Sequence, residues 1–333
     1  MAEEKSTILE EPVHKKRRFN MQTLFLKYSV YIVLIILFLY FSFSSPMFLS
    51  QGNVGNFFRQ IPPVGILTIG YTLILITGYV DLSIASIAAF SGTTAAYLAS
   101  VDISPILVIL ISLIIGGTFG AINGFLIKKL DLPSFILTLG TNYIIRGIIM
   151  FVTNGIFVTG APPWFRKIAT TKIIGNVLFS NTLIFILLII IFSFIMKYTR
   201  LGKYCYAIGS NPESARLSGI KTDKHVIKIF IIEGILAAIA GILLMSNLNV
   251  GGPNEGQGLD LLAMAAAIMG GTQFSGGVGT IGGAIVGIFT LQIFTNGLAI
   301  MGVNAFMQQA VTGAVIIFAI IIDYLRRRTE KNK

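Results

Sequence analysis

Apolar residues run along this chain in long blocks, separated by short stretches rich in glycine, proline and charge. The run from Leu183 to Met196 is continuous rather than alternating, which is the pattern of a helix in hydrocarbon and not of a barrel strand. Read between breaks, the blocks predict helical spans at 24–43, 61–77, 84–99, 105–126, 134–153, 180–196, 226–248, 259–272, 279–299 and 304–324. The second, third and eighth fall short of the roughly twenty residues that cross a bilayer core. Broken or re-entrant helices buried among neighbours are therefore expected there.

Composition sharpens the picture. Of 333 residues, 54% are hydrophobic and 12% charged, against roughly 25% charged in soluble domains. A water-soluble fold is excluded, and the expected class is an all-α polytopic membrane protein of about ten helices. The expected organisation is a basic tail over 1–23, one transmembrane domain over 24–324 and a second basic tail over 325–333. The net charge of +11 does not point to nucleic acid, because lysine and arginine cluster beside the apolar blocks, where they set orientation. With the N-terminus inside, alternate loops place twenty basic residues on one side and four on the other, with Arg146 inside a span. Both termini are expected in the cytoplasm. The run His14-Lys15-Lys16-Arg17-Arg18 resembles the start of a signal peptide, but the apolar block after it is too long and lacks a small-residue cleavage site. An uncleaved first span is expected.

Candidate chemistry is sparse. One cysteine, Cys205, and two distant histidines, His14 and His225, offer neither a disulfide nor a metal site nor a nucleophile pair. No H-E-x-x-H or G-x-S-x-G motif is present. The run Gly277-Val278-Gly279-Thr280-Ile281-Gly282 has the spacing of a dinucleotide fingerprint without its strand, and Gly271–Gly276 has a phosphate-loop frame with Gly277 where lysine is required. The chain is expected to carry no ATPase, no catalytic residue, no cofactor and no metal of its own. Two stripes of small residues, Gly116-Gly120-Gly124 and Gly279-Gly283-Gly287, predict helix pairs in close approach.

Ionisable groups inside apolar blocks are Asp81, Arg146 and Glu233, each costing about 2.5–3.5 kcal/mol at a helix centre and so expected to face protein or water. For Asp81, in the break Gly78-Tyr79-Val80-Asp81-Leu82-Ser83, structural pairing or capping and conduction both remain open. Asp260 is expected to cap a helix. Asn142, Tyr143, Gln292 and Asn296 are polar positions within spans that either line a pathway or bond across helices.

Two connections are long enough to be structured. The segment from Asn154 to Asn181 carries Pro162-Pro163-Trp164-Phe165, suited to lie at a membrane interface as a partner-facing cap. The segment from Lys197 to Lys224 contains a complete short-helix grammar: Asn211 as N-cap, Pro212 at the first helical position, Glu213 in the first turn and Gly219 as terminator.

The sequence Tyr206-Ala-Ile-Gly-Ser-Asn-Pro-Glu-Ser-Ala-Arg-Leu-Ser-Gly-Ile220 closely resembles the coupling region of the ribose-type sugar permeases, the membrane subunits of bacterial ATP-binding-cassette importers. Gly78–Ser83, Leu132–Gly140, Met269–Thr272 and Gly276–Thr280 are similar to further motifs of that family in its order, so the resemblance runs from about Phe48 to Asp323. Ser210 stands where the family commonly has glycine.

The resemblance implies a homodimeric permease working with an ATPase subunit and an extracytoplasmic sugar-binding protein. It places ATPase coupling in a segment over about 201–220, at Gly209, Asn211, Pro212, Glu213, Ala215, Arg216 and Gly219. The implied cargo is a monosaccharide such as ribose or a related pentose or hexose, with ATP and magnesium bound by the partner. A nucleoside permease of the same class, and an ion-coupled secondary transporter using Asp81, Arg146 and Glu233 as a relay, are the competing readings.

Overall fold

In hydrocarbon a chain must satisfy its backbone polar groups internally, so the apolar blocks become helices. The computed structural model describes residues 21–175, 177–314, 317 and 321. The tail expected over 325–333, and that over 1–23 up to residue 20, lie outside these, as does most of the far half of the expected tenth span.

The helices are α1 (Met21–Ser44), α2 (Gln51–Ile76), α3 (Ile84–Ser100), α4 (Pro105–Leu130), α5 (Ser134–Thr153), α6 (Pro163–Thr170), α7 (Ser180–Tyr198), α8 (Arg200–Ser210), α9 (Pro212–Leu217), α10 (Thr222–Leu248), α11 (Leu259–Met269) and α12 (Ile281–Ile300). Residues 305–314 form a further helix. Strands β1 (Lys172–Ile174) and β2 (Leu178–Phe179) make a small antiparallel hairpin. Among the described residues, α2, α4, α5, α7, α10 and α12 are long and apolar enough to cross a membrane. An all-α polytopic membrane protein is what the pattern predicted.

Helix α10 is the hub, packing on α2, α3, α4 and α6. Its contact with α4 runs along the first glycine stripe: a side chain at Gly116 would strike the carbonyl of Gly234, one at Gly234 the carbonyl of Gly116, and one at Gly120 the carbonyl of Phe230. The second stripe behaves alike only in part. Gly283 and Gly287 lie against Gly270 and Ala266 of α11, but Gly279 precedes the start of α12 and belongs to the loop between the two helices.

The second span departs from expectation. It is not a short helix beginning at 61 but one of 26 residues that starts at Gln51 and runs through Pro62 and Pro63. Prolines inside a helix free the carbonyls four residues back, here those of Phe58 and Arg59. Both are taken up by α7, whose Thr182 hydroxyl donates to the Phe58 carbonyl at 2.7 Å and whose Asn181 amide donates to the Arg59 carbonyl at 2.7 Å. With these bonds supplied from outside, the helix need not break.

The third and eighth spans are short as expected. Helix α3 has 17 residues and α11 only 11, the latter about 16 Å at 1.5 Å per residue. Segments 77–83 and 270–280 lengthen these crossings without helix. The N-cap of α11 is Gly258 rather than Asp260, which sits in the first turn. Helix α6 docks on α10 instead of lying free: Phe165 is fully buried, and the Ser246 hydroxyl donates to its carbonyl at 2.6 Å while accepting from the Ala169 amide at 3.0 Å.

Candidate functional site

Two sets of residues converge, one on the basic face of the helix bundle and one on the face opposite. On the basic face, the capping grammar around Asn211 folds as expected. The Asn211 side chain accepts from the Ser214 amide at 2.9 Å, Pro212 opens α9, and Gly219, with φ of +83°, ends the turn in the left-handed region that disfavours a Cβ. Glu213 and Arg216 pair at 2.8 Å on the exposed side. Ala215 turns inward and is buried, whereas Leu217 stands 80% exposed on a polar surface. Leu217 is thus the apolar side chain that α9 exposes, and Ala215 is packed against the rest of the protein.

Helix α8 was not expected from the sequence. Its signals were present: Thr199 accepts from the Gly202 amide as N-cap at 3.5 Å, and Leu201, Cys205 and Ile208 recur at helical spacing on the packed side. Cys205 lies 3.5 Å from Nε2 of His225. Burial pushes its thiol up to about 11. Since the thiolate is the nucleophile, Cys205 is expected to resist maleimide at neutral pH in the folded protein and to react fully once unfolded. Rapid labelling of native protein, measured by intact mass, would contradict this placement.

Gly209, near the end of α8, seats against the two interrupted crossings at once. Helix α2 ends in a Schellman turn, with the Tyr79 amide bonded to the Ile74 carbonyl at 3.1 Å, the Gly78 amide to Leu75 at 2.9 Å, and Gly78 at φ +88°. The carbonyl of Ile76 is capped by the amide of Gly277 from the α11–α12 loop at 2.8 Å. A side chain at Gly209 would strike both partners of that bond. Beside it, the Tyr206 hydroxyl donates to the Gly279 carbonyl at 2.9 Å. Segments 77–83 and 270–280 thus meet under α8. Lys128 of α4 ties the same face together, pairing with Asp223 of α10 at 3.1 Å and reaching the Tyr79 hydroxyl at 3.5 Å.

On the opposite face, a cavity of about 320 Å³ is lined by the side-chain amides of Asn53, Asn56, Gln60, Gln292, Asn296 and Gln308, with the Phe57 ring beside them. Asn53 and Asn296 exchange hydrogen bonds at 3.0 and 2.9 Å. Amides both donate and accept, and a cluster of them beside an aromatic ring and without a fixed charge suits a neutral, hydroxyl-rich solute. Gln292 and Asn296 were expected from the sequence; Asn53, Asn56 and Gln60 were missed. Their spacing of three and four residues places them on one helix face, but reading α2 as starting at 61 had assigned them to a loop.

The remaining predicted polar residues lie elsewhere. Asn142 is half-buried and Tyr143 is 72% exposed on α5, a helix packed on α3 and α4 and not part of the amide cavity. Arg146 donates from Nη1 to the carbonyls of Pro253 and Glu255 at 2.6 and 2.9 Å, holding the α10–α11 loop. Asp81 is fully buried, and its Oδ1 accepts from the amide and hydroxyl of Ser83, both at 2.6 Å. No group of three or more metal-ligating side chains is assembled among the described residues.

A model of the family described as branched-chain amino acid transport system / permease component matches residues 53–320. The chain is 33% identical over 316 residues to the ribose import permease protein RbsC of Escherichia coli strain K12, covering 92% of this chain and 96% of that one. It is 34% identical over 325 residues to the D-allose transport system permease protein AlsC of the same strain, with 96% and 98% covered. Identity to the L-arabinose ABC transporter permease protein AraH of Azospirillum brasilense is 30% over 304 residues, with 91% and 88% covered. No solved structure gives a significant match.

Proposed function

Because the chain belongs to the family of branched-chain amino acid transport system / permease components, we propose that it is the membrane-spanning subunit of an ATP-driven importer, carrying a monosaccharide of the ribose type inward across a bacterial cytoplasmic membrane. The observation that carries this reading is the linkage on the basic face, where an exposed, capped helix leads through α8 to Gly209 and from there to both interrupted crossings. A partner ATPase that moves α9 as a rigid piece would displace segments 77–83 and 270–280 together. The basic face is then cytoplasmic, with both termini on that side.

The relatives' names point to pentoses and hexoses, and the amide-lined cavity has the chemistry for such a neutral cargo. Two copies of the chain would form the pathway between them. An extracytoplasmic sugar-binding protein would dock on the opposite face, where α6, the hairpin and the α10–α11 loop are gathered. The ion-coupled alternative is disfavoured by geometry: Arg146 is committed to backbone carbonyls on the α10–α11 loop, so Asp81, Arg146 and Glu233 do not assemble as a relay.

Reconstitution tests the assignment. Liposomes holding this chain alone under an imposed proton or sodium gradient should accumulate no ribose, and adding the ATPase, the binding protein and internal ATP should give accumulation without a gradient. Gradient-driven accumulation by the isolated chain would end the reading. Within the complete system, Leu217→Asp should weaken ATPase association by roughly tenfold or more, since it places a charge at the centre of a small contact. Unchanged co-purification of the ATPase would remove α9 from the interface.

A further inference from the structure

A second cavity, of about 400 Å³, opens on the face opposite α9, between the first turns of α2 and the β1–β2 hairpin. Its side chains are Gln51, Asn56, Arg59, Lys172 and Phe179, with Gly52 and Gly55 between them. Both cations are unanswered: the ion pairs among the described residues are Lys128 with Asp223 and Arg216 with Glu213, and none of the described residues lining the cavity is acidic. The Nε of Arg59 is buried without a hydrogen-bond partner, and Lys172 is exposed. Two positive charges and two amides without a carboxylate are complementary to an anion.

The level of the cavity says which anion reaches it. Helix α7 has 19 residues, about 28 Å at 1.5 Å per residue and close to the roughly 30 Å of a hydrocarbon core, so its first residues stand at a boundary of the hydrocarbon. Arg59 is tied to that level, because Asn181 of α7 donates to its carbonyl. Lys172 is tied to it as well, pairing across the hairpin with Phe179, the residue before α7. Gln51 opens α2 eight residues before Arg59, about 12 Å further out. The cavity therefore occupies the layer of phospholipid headgroups. Ile173 and Ile174 are exposed beside Lys172, and below them Leu183, Leu187 and Ile190 form an exposed apolar strip on one face of α7, suited to an acyl chain.

We propose that Arg59 and Lys172 hold the phosphate of a phospholipid whose headgroup is uncharged and bears hydroxyls, as in phosphatidylglycerol, with Gln51 and Asn56 bonding those hydroxyls. The phosphodiester carries one negative charge for two cations, and side-chain amides both donate to and accept from hydroxyls. A choline or ethanolamine headgroup would bring a third cation into the cavity and be repelled. The bound lipid fastens α2 to the hairpin. This site is separate from the amide cavity, although Asn56 borders both.

The test uses the full chain in detergent, titrated with phosphatidylglycerol or phosphatidylcholine and followed by native mass spectrometry. The wild type should bind one phosphatidylglycerol at least tenfold more tightly than phosphatidylcholine. Lys172→Gln should weaken this about fivefold and Arg59→Gln with Lys172→Gln roughly thirtyfold, the loss of one and two attractions to an anionic headgroup. Because Lys172 is exposed, the single variant reads the site even where the double variant folds poorly. Arg166→Gln, exposed on the same face but outside the cavity, should change nothing. Equal affinity for the two lipids, or unchanged affinity in Lys172→Gln, would overturn the proposal. Displacement of the lipid by an equal concentration of inorganic phosphate would overturn it by making this a site for free anions. Unaltered phosphatidylglycerol binding in a double variant that no longer binds the sugar-binding protein would overturn it too, by assigning the cations to an acidic protein surface.

Discussion

Gly209→Val should abolish substrate-stimulated ATP hydrolysis and uptake in the reconstituted importer while the protein still inserts and can be purified. Local propensity argues the other way: Gly209 lies within a helix, where replacing glycine by alanine is worth about 1 kcal/mol of helix stability. The tertiary contact dominates. A Cβ at this position meets the Ile76 carbonyl and the Gly277 amide, two backbone atoms already bonded to each other, and backbone cannot swing aside as a flexible side chain can. Overpacking of this kind costs roughly 1–3 kcal/mol, and more when backbone must shift.

Gly209→Ala should therefore reduce uptake by roughly tenfold, the equivalent of about 1.4 kcal/mol, and Gly209→Val should reduce it further. Tyr206→Phe removes only the bond to the Gly279 carbonyl and should cost about 0.5–1.5 kcal/mol, giving a milder loss. Full activity in Gly209→Val would show that α8 does not transmit motion to the interrupted crossings.

The largest stability effect is expected where α7 supports α2. Replacing Asn181 by Leu and Thr182 by Val leaves the partly buried carbonyls of Phe58 and Arg59 without these donors, at up to about 1–3 kcal/mol each. The double variant should unfold at a clearly lower temperature in nanodiscs. Its partner experiment is a cycle with Pro62→Ala and Pro63→Ala, which restore the helix's own amide donors to those two carbonyls. In that background the α7 substitutions should cost markedly less, because the amides of 62 and 63 now fill the role of the α7 side chains. Strictly additive losses would show that the two side chains do not compensate the prolines.

That pair also explains where sequence reading fell short. The apolar pattern starts a span at 61, and two adjacent prolines within one helix remove two hydrogen bonds, so nothing local predicts a helix that begins at Gln51 and runs through them. What compensates them lies more than a hundred residues away at the start of α7, and neither Asn181 nor Thr182 signals its target in isolation. Misplacing the start of α2 then concealed the amide face of Asn53, Asn56 and Gln60, so that side of the cavity went unseen although Gln292 and Asn296 were singled out. By contrast α9 was legible in full, since Asn211, Pro212 and Gly219 act on backbone atoms within three or four residues of themselves.

The sequence by itself determined the class of the protein, the position of most helices and the close approach along Gly116, Gly120 and Gly124. These follow from periodicity, capping and the cost of burying polar backbone, which are local rules. Only the tertiary structure decided that α2 runs unbroken through two prolines, that Gly209 seats on the junction of two interrupted crossings, and that Arg146 holds a loop. Each of these is a satisfaction of buried polar groups between segments distant in the chain. A donor or acceptor buried in hydrocarbon must find a partner, but its own sequence neighbourhood does not say which one.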